Sequence, residues 1–150
     1  MAILFHEILG NKINEFLISI HATDIDKTSL EKAKSGEYEA GIFSEVDEKI
    51  LRRYFNRNLK FRLREEIKKM VKFKHHDLIS DEHLTHIDII LCRNALIYFS
   101  RELQQKLSKK FYEGLNKGGY LILGKTESLT GEPARMFQLV NIRERIYQKV

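Results

Sequence analysis

Residues 87–100, IDIILCRNALIYFS, contain the feature that decides the fold. Residues 87–91 are apolar except for Asp88, are too few for a helix, and are rich in β-branched isoleucine. This composition predicts a strand buried on both faces, as in the interior of a parallel sheet. The run stops at Cys92, Arg93 and Asn94, and Ser100 then caps a helix. Polar residues at the carboxyl end of such a strand are where an open α/β sheet binds ligands, although the same residues serve equally well in a plain turn.

The composition is that of an ordinary globular chain. Its 150 residues are enough for one domain, and 43% hydrophobic and 31% charged content is usual for one. No apolar run approaches the ~20 residues that cross a bilayer. His6 and Glu7 interrupt the apolar start where a secretory leader would lie, and the single Cys92 suits a reducing compartment. We therefore expect a cytoplasmic protein without membrane insertion.

The net charge of +5 favours an acidic partner, and much of the excess lies between Arg52 and Lys74. That partner class includes nucleic acids and acidic protein surfaces. The aromatic residues of this segment, Tyr54, Phe55 and Phe73, are better used in a core than as stacking platforms for bases. We therefore interpret the basic segment as a solvated face and expect no nucleic acid.

Helices and strands are predicted to alternate along the chain, without repeats or low-complexity linkers. Predicted helices cover residues 2–17, 28–33 and 101–116, a stretch that begins at Ser44, and a turn at 65–70. No capping residue precedes the first of these helices, and Asp47 completes a capping box with Ser44. Gly36 ends the second helix, and Gly118 and Gly119 end the last one. Predicted strands cover residues 17–22, 61–63, 71–73, 87–91, 120–123, 137–140 and 145–149. This order predicts a doubly wound α/β sheet.

Asp24 directly follows a predicted strand and precedes a helix. An ionised carboxylate in that position accepts hydrogen bonds from the two ribose hydroxyls in nucleoside sites. Aspartate is also a common helix cap, and Asp26 would serve that purpose equally well. Both interpretations are compatible with the sequence.

Three other patterns are excluded as sites. Residues 119–126 match the phosphate loop G-x-x-x-x-G-K-[ST], but the predicted strand lies between the two glycines instead of before the first. Four histidines and Asp77 lie between residues 75 and 86, but adjacent histidines point in opposite directions on a strand and no thiolate joins them, so we expect no metal site. Cys92 lacks the G-x-[SC]-x-G turn of a nucleophile elbow.

Six segments follow one another in a distinctive order. They are HATDIDKTSLEKAKSGEYE (21–39), RRYF (52–55), VKFKHHDL (71–78), IDIILCRNALIYF (87–99), NKGGYLILGKTESL (116–129) and RIYQKV (145–150). Together they resemble the catalytic domain of chemotaxis-type (CheR-like) protein-glutamate O-methyltransferases, over essentially the whole chain. The resemblance implies a class I, Rossmann-like methyltransferase sheet of seven strands, S-adenosylmethionine as the cofactor, and the cytoplasmic helices of chemoreceptors as the protein substrate.

The resemblance also implies which residues bind the cofactor. Asp24 would hold the adenosyl ribose. Asp77 and Leu78 would flank the adenine, at a place where the family usually has Asn-Leu. Arg93 and Asn94 would line the cofactor pocket. Aspartate in place of asparagine at residue 77 removes an amide donor and adds a negative charge beside the adenine.

The same resemblance makes Tyr98 and Arg93 the catalytic candidates, with Tyr98 near the methyl group that is transferred. A glutamate carboxylate, with an unperturbed pKa of ~4.3, is ionised at neutral pH and needs no general base. Alignment, exclusion of water and control of charge remain for the protein to provide. A tyrosine hydroxyl and an asparagine amide suit positioning better than they suit proton transfer.

Parts of the family pattern are missing from these 150 residues. They are the first strand, the turn G-x-S-T-G-E-E-P-Y-S that holds the methionine end of the cofactor, and the amino-terminal helical domain; the hairpin insertion is shortened to about residues 56–64. We therefore expect a single methyltransferase-like domain over residues 1–150, incomplete at its amino end.

Such a chain is expected to bind S-adenosylmethionine negligibly by itself, because the glycine-rich turn is missing. It is also expected to oligomerise, or to need a complementing polypeptide, so that its open sheet edges are covered. The alternative is a non-catalytic remnant or interaction module of the same fold.

Overall fold

A computed structural model describes all 150 residues and shows a mixed α/β protein. The helices are α1 (Ala2–Leu9), α2 (Lys27–Ser35), α3 (Glu48–Tyr54), α4 (Glu65–Lys68), α5 (Arg101–Gly114) and α6 (Pro133–Met136). The strands are β1 (Ile20–Asp24), β2 (Glu37–Tyr38), β3 (Phe55–Arg57), β4 (Phe61–Leu63), β5 (Val71–His75), β6 (Ile87–Cys92), β7 (Leu115–Leu123), β8 (Phe137–Asn141) and β9 (Ile146–Lys149). Short 3-10 helices cover Gly10–Glu15, Ala40–Phe43 and Leu96–Tyr98.

None of the helices combines the length and the apolar character needed to cross a membrane. The chain divides into two compact units, Met1–Asp77 and Leu78–Val150.

The first unit contains the parallel pair β1 and β5. Ile20 lies opposite Val71 and Asp24 lies opposite His75. The predicted strand at residues 17–22 is therefore displaced toward the carboxyl end, because Leu17 is exposed and pairing with β5 begins only at Ile20.

Helix α2 follows β1 and has the ends that its sequence predicts. The Asp26 carboxylate accepts hydrogen bonds from the backbone N–H groups of Thr28 at 2.9 Å and Ser29 at 3.1 Å. The Ser29 hydroxyl also donates to this carboxylate, and that bond, together with those from the backbone, holds the pKa of Asp26 below its usual value. Gly36 ends the helix in the left-handed region, at φ 64°, as expected for a glycine in that position.

A small antiparallel sheet in the order β2-β4-β3 occupies the region of the expected hairpin insertion. Four aromatic rings pack around it, with centroid separations between 4.8 and 6.4 Å. They belong to Tyr38, Phe43, Phe55 and Phe61. Because so short a sheet buries little surface by itself, this aromatic cluster supplies the packing that holds its three strands together.

Two predicted helix boundaries are wrong. Helix α3 begins at Glu48 and not at Ser44, because the Asp47 carboxylate is the cap and accepts a hydrogen bond from Lys49 N at 2.7 Å. Helix α5 ends at Gly114, before the glycines at 118 and 119, because Leu115 already pairs with Ile87. Gly118, at φ 78°, instead lies in an irregular part of β7, where the pairing with β6 shifts.

A polar network joins α1 to α3 in the first unit. The Tyr54 side chain is only 1% exposed, and its hydroxyl donates a hydrogen bond to the Glu7 carboxylate. His6 Nδ1 lies 3.0 Å from the same hydroxyl, and Arg53 donates to Glu7 at 2.9 Å. Burial raises the pKa of Tyr54 to about 12, and the hydrogen bond to Glu7 adds to the rise.

The second unit is built on a four-stranded sheet in the order β6-β7-β9-β8. Strands β6 and β7 are parallel, whereas β9 runs antiparallel to both of its neighbours. The core of this unit consists of Cys92, Leu96, Leu107, Phe111, Leu115, Leu121, Leu123, Leu129, Phe137 and Tyr147. Six of these ten residues belong to α5, β6 and β7.

Only one face of β6 is buried. Ile90 packs against the core and Cys92 is part of it, whereas Ile89 and Leu91 are 37% and 49% exposed. Alternate side chains of a strand point to opposite faces. The core cluster covers the face of Ile90 and Cys92, and Ile87 also packs against it from before the shift in pairing between Ile87 and Ile89. The prediction of a strand buried on both faces is therefore wrong for this structure.

We expect Tyr54 to make the stability of the protein sensitive to alkaline pH. The Tyr54 phenol has a pKa of ~10 in the unfolded chain and about 12 in the folded chain. Its contribution to the stability of the fold is therefore complete below about pH 10 and is lost as the pH rises to about 12. The free energy of unfolding, measured with urea at several pH values, should fall by about 2–3 kcal/mol more in the parent protein than in Tyr54→Phe over this range. Tyr120→Phe is the control for loss of a phenol elsewhere. Parallel pH profiles for the parent and Tyr54→Phe would contradict this assignment.

Candidate functional site

The structure brings two of the predicted cofactor-binding residues to one end of the β1–β5 pair. Asp24 is the last residue of β1 and is exposed, and Asp77 lies two residues beyond the end of β5. The backbone N–H of His76 donates to the Asp24 carbonyl at 3.0 Å, which holds the two strand ends together. Asp24 does not cap α2, since Asp26 does so; its carboxylate accepts a hydrogen bond from Asp26 N at 2.8 Å.

Three other predicted residues, Arg93, Asn94 and Tyr98, lie together at the carboxyl end of β6 in the second unit, whereas Leu78 is the first residue of that unit and lies well before β6. Arg93 and Asn94 are exposed and directly follow Cys92. Asn94 has a φ of 58°, in the left-handed region that asparagine tolerates better than most residues. Tyr98 ends the 3-10 helix Leu96–Tyr98 and is 80% exposed. The turn therefore presents its polar side chains outward.

A buried carboxylate that the sequence analysis did not single out holds this turn in place. Glu127 is 4% exposed, and each of its two oxygens accepts two backbone N–H groups. Oε1 accepts from Leu96 at 2.7 Å and Ile97 at 3.3 Å. Oε2 accepts from Asn94 at 2.8 Å and Gly124 at 2.6 Å. The side chain thereby joins the end of β7 to the turn that follows β6.

The glycine at position 124 is required by this arrangement. A Cβ atom there would lie 2.7 Å from Glu127 Oε2 and closer still to Asn94 Oδ1. Residues 119–126, which match the phosphate-loop pattern, do not have the structure of such a loop. Residues 119–123 lie in β7, and the next helix, α6, begins only at Pro133. The glycine allows Glu127 and Asn94 to approach the backbone.

Helix α5 holds the other side of the turn. Gln104 Nε2 donates to the carbonyls of Leu96 at 2.9 Å and Phe99 at 3.0 Å. Ser100 caps the helix by accepting from Leu103 N at 3.4 Å. Tyr98 therefore has a fixed backbone, because the residues before and after it are both hydrogen-bonded, while its side chain remains accessible.

These residues do not favour a nucleophilic cysteine or a metal site. Burial, with the charge of Glu127 nearby, raises the pKa of the Cys92 thiol to about 12, so no useful fraction is thiolate at neutral pH. His75 is exposed and its neighbour His76 is buried. No three histidine, cysteine, aspartate or glutamate side chains converge to hold an ion.

Comparison with known proteins gives a consistent match. The family model described as "CheR methyltransferase, SAM binding domain" matches residues 1–146. A chemotaxis protein methyltransferase of Vibrio parahaemolyticus is 35% identical over 137 residues, which are 89% of this chain and 50% of that protein. One from Listeria innocua is 32% identical over 130 residues, 86% of this chain and 48% of that protein. An uncharacterised 104.1 kDa protein of Rhodobacter capsulatus is 32% identical over 149 residues, 99% of this chain and 16% of that protein. The chain thus spans about half the length of the two named methyltransferases.

Replacing Glu127 by glutamine should destabilise the second unit strongly. The substituted amide directs an NH2 group at backbone donors, so buried N–H groups lose their acceptor, at a cost of about 3 kcal/mol in the free energy of unfolding. Glu132→Gln makes the same chemical change at an exposed ion pair with Lys109 and should cost less than ~1 kcal/mol. Urea denaturation measures both variants. Equal effects at the two positions would show that Glu127 does not have this structural role.

Proposed function

Because the chain belongs to the CheR family of methyltransferases, whose cofactor is S-adenosylmethionine, we propose that it forms part of an enzyme that methylates glutamate side chains of chemoreceptor-type proteins, and that it contributes residues for binding adenosine and for the transfer step. The observation that carries the proposal is the exposed, firmly held turn from Arg93 to Tyr98 at the end of β6. The protein substrate would be the cytoplasmic helices of such receptors, so the enzyme would work in the cytoplasm.

The residues at the end of β1 and β5 suit the adenosine half of the cofactor. Asp24 is exposed at the end of a parallel strand, and its carboxylate is available to accept hydrogen bonds from ribose hydroxyls. Asp77 and Leu78 are partly buried and would flank the adenine, with Leu78 as the apolar surface. An aspartate at residue 77 would accept from the adenine amino group but has no amide donor for a ring nitrogen.

The residues that follow β6 suit the transfer step. Arg93 and Asn94 would line the cofactor pocket, with Arg93 also available to attract the carboxylate of the substrate. The bound cofactor supplies the electrophilic methyl group, and the substrate carboxylate is already ionised. Tyr98 would align that carboxylate through its hydroxyl, in keeping with a fixed backbone and an exposed side chain.

We also propose that the strands belong to a doubly wound class I methyltransferase sheet that lacks its first strand. This proposal is supported by the strand edges, since β1 has a strand partner only in β5 and β6 only in β7. The same open edges favour the alternative function, a non-catalytic interaction module that pairs with another polypeptide or with a second copy of the chain. A complementing strand and glycine-rich turn would complete the site in either case, and cofactor binding distinguishes the two functions.

The proposal is tested with a completed chain, in which a segment with the family's first strand and glycine-rich turn precedes Met1. By calorimetry, the completed chain should bind S-adenosylhomocysteine with a roughly micromolar dissociation constant, and the 150-residue chain should bind it negligibly. Asp24→Asn should weaken binding to the completed chain by about 1.5–3 kcal/mol through loss of charge-assisted bonds to ribose.

The matched control for that experiment is Asp26→Asn, a neutral change two residues away that keeps a good helix cap and should leave affinity unchanged. No binding by the completed chain would overturn the proposed function and favour the interaction module. Unchanged affinity in Asp24→Asn would overturn the ribose contact alone.

Tyr98→Phe should lower turnover without weakening cofactor binding. A hydroxyl that aligns the substrate matters chiefly in the transition state, so kcat should fall by about tenfold or more while the KM for S-adenosylmethionine stays the same. Methyl transfer to a receptor fragment by the completed chain provides the assay, with Tyr120→Phe as the control. Full turnover in Tyr98→Phe would rule out this role.

A further inference from the structure

A lysine in α5 holds the backbone that directly follows Asp77. Lys110 Nζ donates to the carbonyls of Leu78 at 3.1 Å, Ile79 at 2.9 Å and Asp81 at 3.0 Å. An ammonium group has three donors, and here the three carbonyls use all of them. Such charge-assisted bonds are stronger than bonds between neutral groups, so this one side chain fixes three closely spaced peptide groups.

Two further contacts hold the same segment, residues 78–84, against α5. Leu78 packs on the core cluster of the second unit. At the end of the helix, Gly114 leaves no room for a side chain, because a Cβ atom there would overlap the Leu84 carbonyl oxygen. The segment is therefore anchored at its start by an apolar side chain, along its length by Lys110, and at its end by close packing on Gly114.

The neighbouring lysines of α5 do not share this arrangement. Lys109 forms an exposed ion pair with Glu132 at 2.6 Å, and Lys106 is exposed. Surface lysines of this kind contribute little to stability. Lys110 differs because its head group donates to three backbone carbonyls.

We propose that Lys110 is a positioning residue for the adenine end of the cofactor site: it fixes the backbone of Leu78 and the residues after it, so that the adenine-flanking surface is formed before the cofactor arrives. This inference rests on the proposed function, which assigns Leu78 to the adenine. A preformed site avoids the entropic cost of ordering a loop on binding, so release of the segment weakens affinity even when the fold survives.

The first measurement needs no cofactor. Hydrogen exchange of the 150-residue chain is compared for the parent, Lys110→Met and Lys106→Met, the last two being the same substitution on the same helix. Lys110→Met should speed exchange across residues 78–86 by about tenfold or more, with residues 94–98 unchanged because Glu127 holds them. Lys106→Met should resemble the parent. Unchanged exchange at 78–86, or acceleration spread equally over α5, β6 and β7, overturns the inference.

The second measurement separates positioning from simple stability. In the completed chain, Lys110→Met should raise the dissociation constant of S-adenosylhomocysteine by about tenfold at a temperature where the variant is fully folded. In the transfer assay it should raise the KM for S-adenosylmethionine with kcat little changed, whereas lost folded protein would lower kcat at constant KM. Gly114→Ala, which displaces the same segment without removing charge, should repeat the affinity loss.

The outcomes distinguish the inference from the function on which it rests. If the parent completed chain does not bind S-adenosylhomocysteine, the proposed function falls and the role assigned to Lys110 falls with it. If the parent binds and Lys110→Met binds equally well, only the inference is overturned.

Discussion

The second unit depends on a single buried anion. Removing a carboxylate from water costs several kcal/mol unless hydrogen bonds replace its hydration, and Glu127 is stable in the interior because four backbone amides do so. Those amides come from two separate segments, the turn after β6 and the end of β7. Neither segment can move without leaving the charge underbonded. The exposed positions of Arg93, Asn94 and Tyr98 therefore follow from a residue that lies beneath them.

Lys110 has the opposite role in the same unit, because it donates hydrogen bonds to backbone carbonyls, whereas Glu127 accepts them from backbone N–H groups. Turns beyond strand ends leave peptide groups without sheet partners, and buried peptide groups need partners of some kind. After β6 the unpaired groups are N–H donors, and an anion gathers them. In residues 78–81 the groups that are held are three carbonyl acceptors, and a cation donates to them. Two charged side chains thus help to fix two irregular segments that secondary-structure propensity alone would not specify.

Much of the fold can be predicted from the sequence, because alternation of helix and strand is carried by apolar spacing and by caps such as Asp26 and Gly36. Asp24, Asp77 and Asn94 could be placed at strand ends because chain order alone puts them there. Glu127 and Lys110 could not be identified, because their partners are backbone groups, which every residue carries and no motif records. The signal that was available for Glu127 is a charged residue three positions after a glycine that ends a buried strand. The sequence also overstates the burial of β6. An apolar run shows that both faces of a strand can be buried, but not that both are covered, and the core of this unit covers one face.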